Sequence, residues 1–154
     1  MLLSAASMPG RSARVGSEGE QGIERALRLL GPLEARVMRI VWSRTAPEAF
    51  VVRDIHAQML ELAYTTVMTT VVRLAEKGLL VVEERPRRIG HRYTAIAPDR
   101  YLAAASARDA DEAIERYGDV ALATFAAKLE RLTHEQRRRL GELERYQTAS
   151  GETM

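Results

Sequence analysis

Residues 64–78 read YTTVMTTVVRLAEKG, a helix with two unlike faces. Val67, Val71 and Leu74 recur at helical spacing as one apolar stripe, and Gly78 supplies the usual stop after Lys77. Thr66, Thr70, Arg73 and Lys77 recur at i, i+4, i+7 and i+11 on another face. Threonine is a poor helix former, and exposed helix positions ordinarily carry Glu, Lys or Ala. Thr65, Thr66, Thr69 and Thr70 together therefore point to a face that contacts something. An α-helix fits the major groove of DNA, where hydroxyls, methyls and an arginine fork meet phosphates and base edges. A plain solvated face is the competing explanation, and the run of threonines weighs against it.

The flanking sequence places this helix in a larger pattern. Gly31-Pro32 opens an earlier helix, because proline at the first helical position lacks only an N–H that would have no partner there. Leu33, Val37, Ile40 and Val41 form its apolar face, and Trp42 is assigned to the core. The stretch Ser43 to Ala49, with Pro47 inside it, ends that helix; Val52, Ile55, Met59 and Leu60 then mark a second. After Gly78, Leu79 to Glu84 and His91 to Ile96 are two β-favouring runs around the basic turn Arg85-Pro86-Arg87-Arg88-Ile89-Gly90, which predicts a hairpin. Three helices followed by a hairpin predict a winged helix-turn-helix domain. Arg85, Arg87, Arg88 and Arg92, with Tyr93 beside them, place cations where a wing meets the DNA backbone.

From Pro98 the character is helical only. One helix runs from about Asp99 to Arg116 and stops at Gly118; Asp119 is placed to cap the next. Thr133-His134-Glu135-Gln136 has the form of a capping box, and the last helix is expected to end near Tyr146. Leu122, Phe125, Leu129 and Leu132 step by 3, 4 and 3 as a coiled-coil-type seam, which Leu140 and Leu143 extend. So short a helical segment cannot bury these groups within itself. Packing onto the winged domain is one outcome; self-association is favoured, with the Ala-rich stretch from Leu102 to Ala107 allowing close helix approach.

The expected division is an N-terminal arm without apolar period over 1–22, a winged domain over 23–97, a helical dimerisation domain over 98–147 and a polar tail over 148–154. Ile23, Ala26, Leu27 and Leu30 suggest a short leading turn, and Met8 is a second candidate start. The whole is mostly α with a small β-hairpin. In 154 residues with 46% apolar content there is no cysteine, which excludes disulfides, thiolate nucleophiles and Cys-ligated metals. There is no long apolar run and no signal-peptide pattern, so the chain is expected to be cytoplasmic. His56, His91 and His134 lie far apart and lack ligand spacing, and there is no glycine-rich phosphate loop and no Gly-x-Ser-x-Gly elbow. An enzyme has no candidate site here, and neither a metal nor a cofactor is implied.

The runs LGPLEARVMRIVW, VRDIHAQM, AYTTVMTTVVRLAEKGLL and HRYTA, continued by YGDVALATFAAKLERLTHEQRRRLGELE, resemble the penicillinase-repressor family of bacterial regulators. The resemblance covers about residues 30 to 146 in order. It implies a homodimer that binds a palindromic double-stranded DNA operator and blocks transcription of β-lactamase or related genes. By position it puts Thr65, Thr66, Thr69, Thr70 and Arg73 on the recognition helix and Arg88 and Arg92 on the wing. It also implies a membrane sensor-protease, or a protease downstream of it, as partner. The cut would align with Thr124-Phe125, where such members carry Asn before Phe and this chain carries Thr. Either the bond is not cut or its protease differs. Copper sensing through C-terminal cysteines is closed to a chain without cysteine.

Two other readings remain beside this one. A winged-helix regulator switched by a small ligand would line a cleft with aromatic and polar groups, and this chain has two Phe and one Trp. A winged-helix protein-interaction module would bind no duplex; the threonine face argues against it.

Overall fold

The computed structural model describes the backbone of residues 11–151 and the side chains of residues 19–145. Its elements are α1 (Arg11–Leu27), α2 (Pro32–Trp42), β1 (Ala49–Phe50), α3 (Val52–His56), α4 (Tyr64–Glu76), β2 (Leu80–Glu83), β3 (Arg92–Ala95), α5 (Pro98–Tyr117), α6 (Asp119–Glu130) and α7 (His134–Gly151). The chain divides into two compact units, Met1–Ser106 and Ala107–Met154. The division falls inside α5, past the start of that helix where the sequence suggests a boundary at residue 98.

The first unit is a winged helix-turn-helix. Pro32 opens α2 as expected, with Gly31 in extended conformation before it. Val37 and Met38 are fully buried, while Leu33, Ile40 and Val41 pack around them. The short α3 inserts Val52 and Ile55, and its Asp54 carboxylate accepts the Val51 backbone N–H at 2.9 Å, which satisfies an otherwise orphaned donor. Val67, Val71 and Leu74 of α4 are fully buried against these helices. Gly78 follows at φ +83°, a left-handed turn in which a Cβ would be strained, and so reverses the chain into β2.

The wing is a three-stranded antiparallel sheet in the order β1-β3-β2, not the two-stranded hairpin that the sequence predicts. Leu80 to Glu83 pair with Ala95 to Arg92, and Ala49 and Phe50 pair with Thr94 and Tyr93 on the other side. β1 escapes sequence reading because a two-residue strand has no period; pairing with β3 creates it. The Phe50 and Tyr93 rings stack with centroids 5.9 Å apart, and both are buried. Trp42 is half-buried against this core, and its indole N–H donates to the Ile96 carbonyl at 2.9 Å, tying α2 to the end of the sheet.

The N-terminal expectation needs correction. The arm expected over residues 1–22 is helical from Arg11, and what looked like a short leading turn is the end of α1; residues 1–10 lie outside the described residues. Ala26 and Leu27 are buried and Ile23 packs on the core. Gly22 lies so close to α5 that a Cβ there would sit 2.9 Å from the Asp99 carboxylate. Glu24 bonds Arg39 of α2 at 2.6 Å; this guanidinium holds the Glu24 carboxyl below its usual range.

The second unit is helical throughout its described part. Gly118, rather than the expected Asp119, stands at the N-cap of α6, and Asp119 is its first residue. The capping box is formed as predicted: the Thr133 N–H donates to Gln136 Oε1 at 2.9 Å, and the Gln136 N–H to Thr133 Oγ1 at 3.2 Å. α7 continues to Gly151, beyond the end near Tyr146 that the sequence suggests and into the expected tail; residues 152–154 lie outside the described residues. Among the described residues no helix is long and apolar enough to cross a membrane.

Candidate nucleic-acid interface

Three independent contacts fix the orientation of α4. Its buried stripe locks one side. At its C-terminal end Lys77 bridges to Glu34 of α2 at 2.8 Å, with the Glu34 side chain only 12% exposed. At its N-terminal end a His56 ring nitrogen donates to the Leu62 carbonyl at 2.9 Å, and the His56 ring meets Tyr64 edge-on at 5.6 Å. Arg36 of α2 pairs with Glu61, which precedes α4, and holds that carboxyl below its usual range. No side chain caps the helix start, where Ala63 stands; the Ala63 carbonyl accepts the Thr66 N–H at 3.0 Å.

The outward face follows from the buried one. At about 100° per residue, Thr65, Thr69, Val72, Arg73 and Glu76 lie within roughly 50° of the direction opposite the Val67, Val71, Leu74 stripe. Thr65, Thr66, Thr69 and Arg73 are exposed as expected. Thr70 is not: it is 5% exposed, and its hydroxyl donates to the Thr66 carbonyl at 2.9 Å. Positions four apart are offset by about 40° on a helix, and that offset carries Thr70 inward. The Thr69 hydroxyl likewise donates to the Thr65 carbonyl at 2.8 Å. Lys77, which the sequence places on the same polar face, is held by Glu34. Sequence reasoning missed Met68 and Val72, each 40% exposed on this helix. Their spacing of four was a signal, but residues of their type were assigned to the inside.

The wing sorts its arginines into different roles. Arg85 turns back on its own loop: its Nε donates to the Gly90 carbonyl at 2.9 Å, and Nη2 to the Ile89 carbonyl at 3.3 Å. Its backbone N–H donates to His91 Nδ1 at 3.1 Å. Arg85 therefore closes the turn. Arg92 lies opposite Glu83 in the sheet and pairs with it at 3.4 Å. Arg87 and Arg88 are exposed and make no ion pair among the described residues, so they are the free cations of the tip. Tyr93, grouped with these arginines in the sequence, belongs to the core; burial pushes its phenol up, so it stays neutral.

In the second unit Leu122, Phe125 and Leu129 lie within about 60° of one another around α6 and are 49%, 37% and 52% exposed. Leu143 of α7 is exposed too, whereas Leu132 and Leu140 are half-buried. Leu129, Leu132 and Leu140 line one shallow depression at the α6–α7 turn. Leu102 is half-buried and belongs to the first unit. The Thr124-Phe125 bond is mid-helix, and the Thr124 hydroxyl donates to the Val120 carbonyl at 2.8 Å. No cluster of three or more His, Asp or Glu side chains suited to a metal ion occurs among the described residues.

Residues 30–144 match the sequence pattern of the penicillinase repressor family. The chain is 47% identical over 70 residues to the transcriptional regulator BlaI of Mycobacterium tuberculosis, in strain CDC 1551 / Oshkosh and in strain ATCC 25618 / H37Rv alike. That match takes in 44% of this chain and 48% of the relative, so the chain spans about half the length of the curated relatives it matches. Among solved structures, a MarR-family transcriptional regulator from Rhodococcus sp. RHA1 is 24% identical, with a TM-score of 0.39 over 80% of this chain and 94% of that one. A MarR/EmrR-family regulator from Acinetobacter sp. ADP1 is 18% identical, with a TM-score of 0.35 over 93% and 95%. These superpositions are too loose to add to the fold argument. The family pattern, by contrast, spans residues 30–144, from just before α2 into α7, and on that ground the chain belongs to the penicillinase repressor family.

Proposed function

We propose that this protein is a transcriptional repressor that binds a palindromic DNA operator as a homodimer. The observation that carries this reading is the outward face of α4, with exposed Thr65, Thr66, Thr69 and Arg73. On a helix rigidly held at both ends, these groups are presented together, as insertion into a major groove requires. Arg87 and Arg88 at the wing tip contact phosphates and fix the register. The exposed stripe Leu122, Phe125 and Leu129 is covered by the same stripe of a second copy, which holds two reading helices at a fixed spacing. The regulated genes are β-lactamase or related genes, as the family's name suggests.

Release follows from cutting α6. The Thr124-Phe125 bond lies within a helix, so a protease must first unwind a turn or more there. A cut before Phe125 removes part of the stripe, and each monomer then loses the affinity gained from the second half-site. The protein is tested by retaining sequences from a random duplex pool at near-physiological salt. A shared two-fold palindrome with half-sites about one helical turn apart supports the reading. Recovery of no shared sequence, with binding lost steeply as salt rises, overturns it.

A further inference from the structure

We infer that α4 selects thymine in its half-site through apolar contact with the 5-methyl group, and that Val72 and Met68 make this discrimination. The inference rests on the DNA-binding reading above and names the base chemistry that the helix prefers.

Val72 and Met68 are each 40% exposed, while the inner stripe of the same helix is fully buried without them. Packing within the protein therefore covers only part of each. A β-branched residue also weakens an exposed helix position, so Val72 costs helix stability that a merely solvated face would not require. The two stand four apart, which makes them neighbours on the helix surface. Thr69 lies between them in sequence and on the outward side. Its hydroxyl proton is committed to the Thr65 carbonyl at 2.8 Å, which leaves its methyl as the group less engaged with the backbone. Thr65 and Glu76 occupy the centre of the outward face beside Thr69, and Val72, Met68 and the Thr69 methyl form a carbon patch along one side of it. Donors flank it: Arg73 and Thr66 are exposed on one side.

In the major groove, guanine, adenine and cytosine present nitrogen and oxygen atoms at their edges, and only thymine adds a methyl carbon. A Val–Met–Thr-methyl patch set against polar edges would strip them of water without replacing their hydrogen bonds. Set against a thymine methyl, it buries carbon on carbon. The free cations Arg87 and Arg88 lie on the wing of the same unit and supply the phosphate attraction that brings this patch to the bases.

The experiment uses the full chain and the duplex recovered by selection. Thymines in the half-sites are replaced by deoxyuridine, which removes the methyl and preserves base pairing. The wild type is expected to lose affinity about fourfold for each contacted methyl, and roughly tenfold or more over two half-sites. Replacements outside the half-sites leave affinity unchanged. The double variant Val72→Ala with Met68→Ala keeps good helix formers at exposed positions, and its thermal midpoint and circular dichroism verify folding. It is expected to bind the thymine and uracil duplexes alike. Equal binding of both duplexes by the wild type overturns the inference. So does a variant that still discriminates by the wild-type factor, because the methyl then acts through duplex shape and not through these side chains. A selection that yields no shared sequence is a different result: it overturns the DNA-binding reading itself, and this inference with it.

Discussion

The two units are written in the same alphabet of leucine, valine and alanine at helical spacing, yet they treat those residues differently. In the first unit Val37, Met38, Phe50, Ile55, Val67, Val71, Leu74 and Leu79 are completely sealed from solvent. In the second, Ala121 is the buried apolar residue among those described, while Tyr117, Val120, Leu122, Phe125, Leu129 and Leu143 are exposed. Periodicity marks a face that must be covered; it does not say by what. The winged unit folds sheet and helices over its own stripes. The C-terminal helices leave theirs open, and that open stripe is what the proposed second copy would cover.

The largest effect tests the sealed half of this contrast. Phe50→Ala removes a fully buried ring stacked on Tyr93 and is expected to destabilise the winged unit by about 3–5 kcal/mol in denaturant titration. A loss well under that range would mean that this core is looser than its burial indicates. The open half is tested by Phe125→Ala combined with Leu129→Ala. Little change is expected in the folding of the winged unit, but self-association measured by sedimentation should weaken by about 2 kcal/mol or more. An unaltered sedimentation profile would show that another surface joins the copies. In DNA binding, Arg87→Ala and Arg88→Ala should each reduce the slope of log affinity against log salt by about 0.9. The corresponding change at Arg85 should instead loosen the wing turn, because its side chain is spent on the Gly90 and Ile89 carbonyls.

Smaller effects sharpen the comparison at the element ends. Thr133→Ala removes one arm of the capping box and should cost about 1 kcal/mol of helix stability at the start of α7, seen as lost helicity. The Glu24–Arg39 link between α1 and α2 gives the smallest signal. Because the bound guanidinium lowers the Glu24 pKa, the link contributes above the ordinary carboxylate pKa and is lost as pH falls through the lowered folded value. Glu24→Gln should therefore flatten the acid side of the thermal-midpoint profile slightly. A variant with an unchanged acid limb would show that the pair adds nothing in water.

Much of this organisation was legible before any coordinates, and the misses share a cause. The α2 and α4 stripes, the Gly78 stop and the Thr133–Gln136 box are local, governed by residues within about two helical turns of one another. Helical period and capping chemistry are enough to read them. The reading failed where a partner came from elsewhere. Lys77 shared a polar face with Thr66 and Arg73 until Glu34 of α2 lay beside it, and Arg92 was grouped with the wing cations until β-pairing placed Glu83 opposite. Thr70 looked like one of four equivalent threonines until the packing of α4 fixed which side was inward. The length of α1 was missed for a similar reason, since its Gly-, Ser- and Glu-rich composition shows little helical period before Ile23.

By itself the sequence determined the order of α2 to α7 and of the β2–β3 hairpin, the apolar stripes of α2 and α4 and the family to which the chain belongs, because each is encoded in the spacing of neighbouring residues. Only the tertiary structure decided which of the candidate groups face outward: Arg87 and Arg88 but not Arg85, Thr69 but not Thr70, and Met68 and Val72 against their type. Exposure depends on the rotation of each element against its neighbours, and that rotation is set by packing between residues distant in the chain.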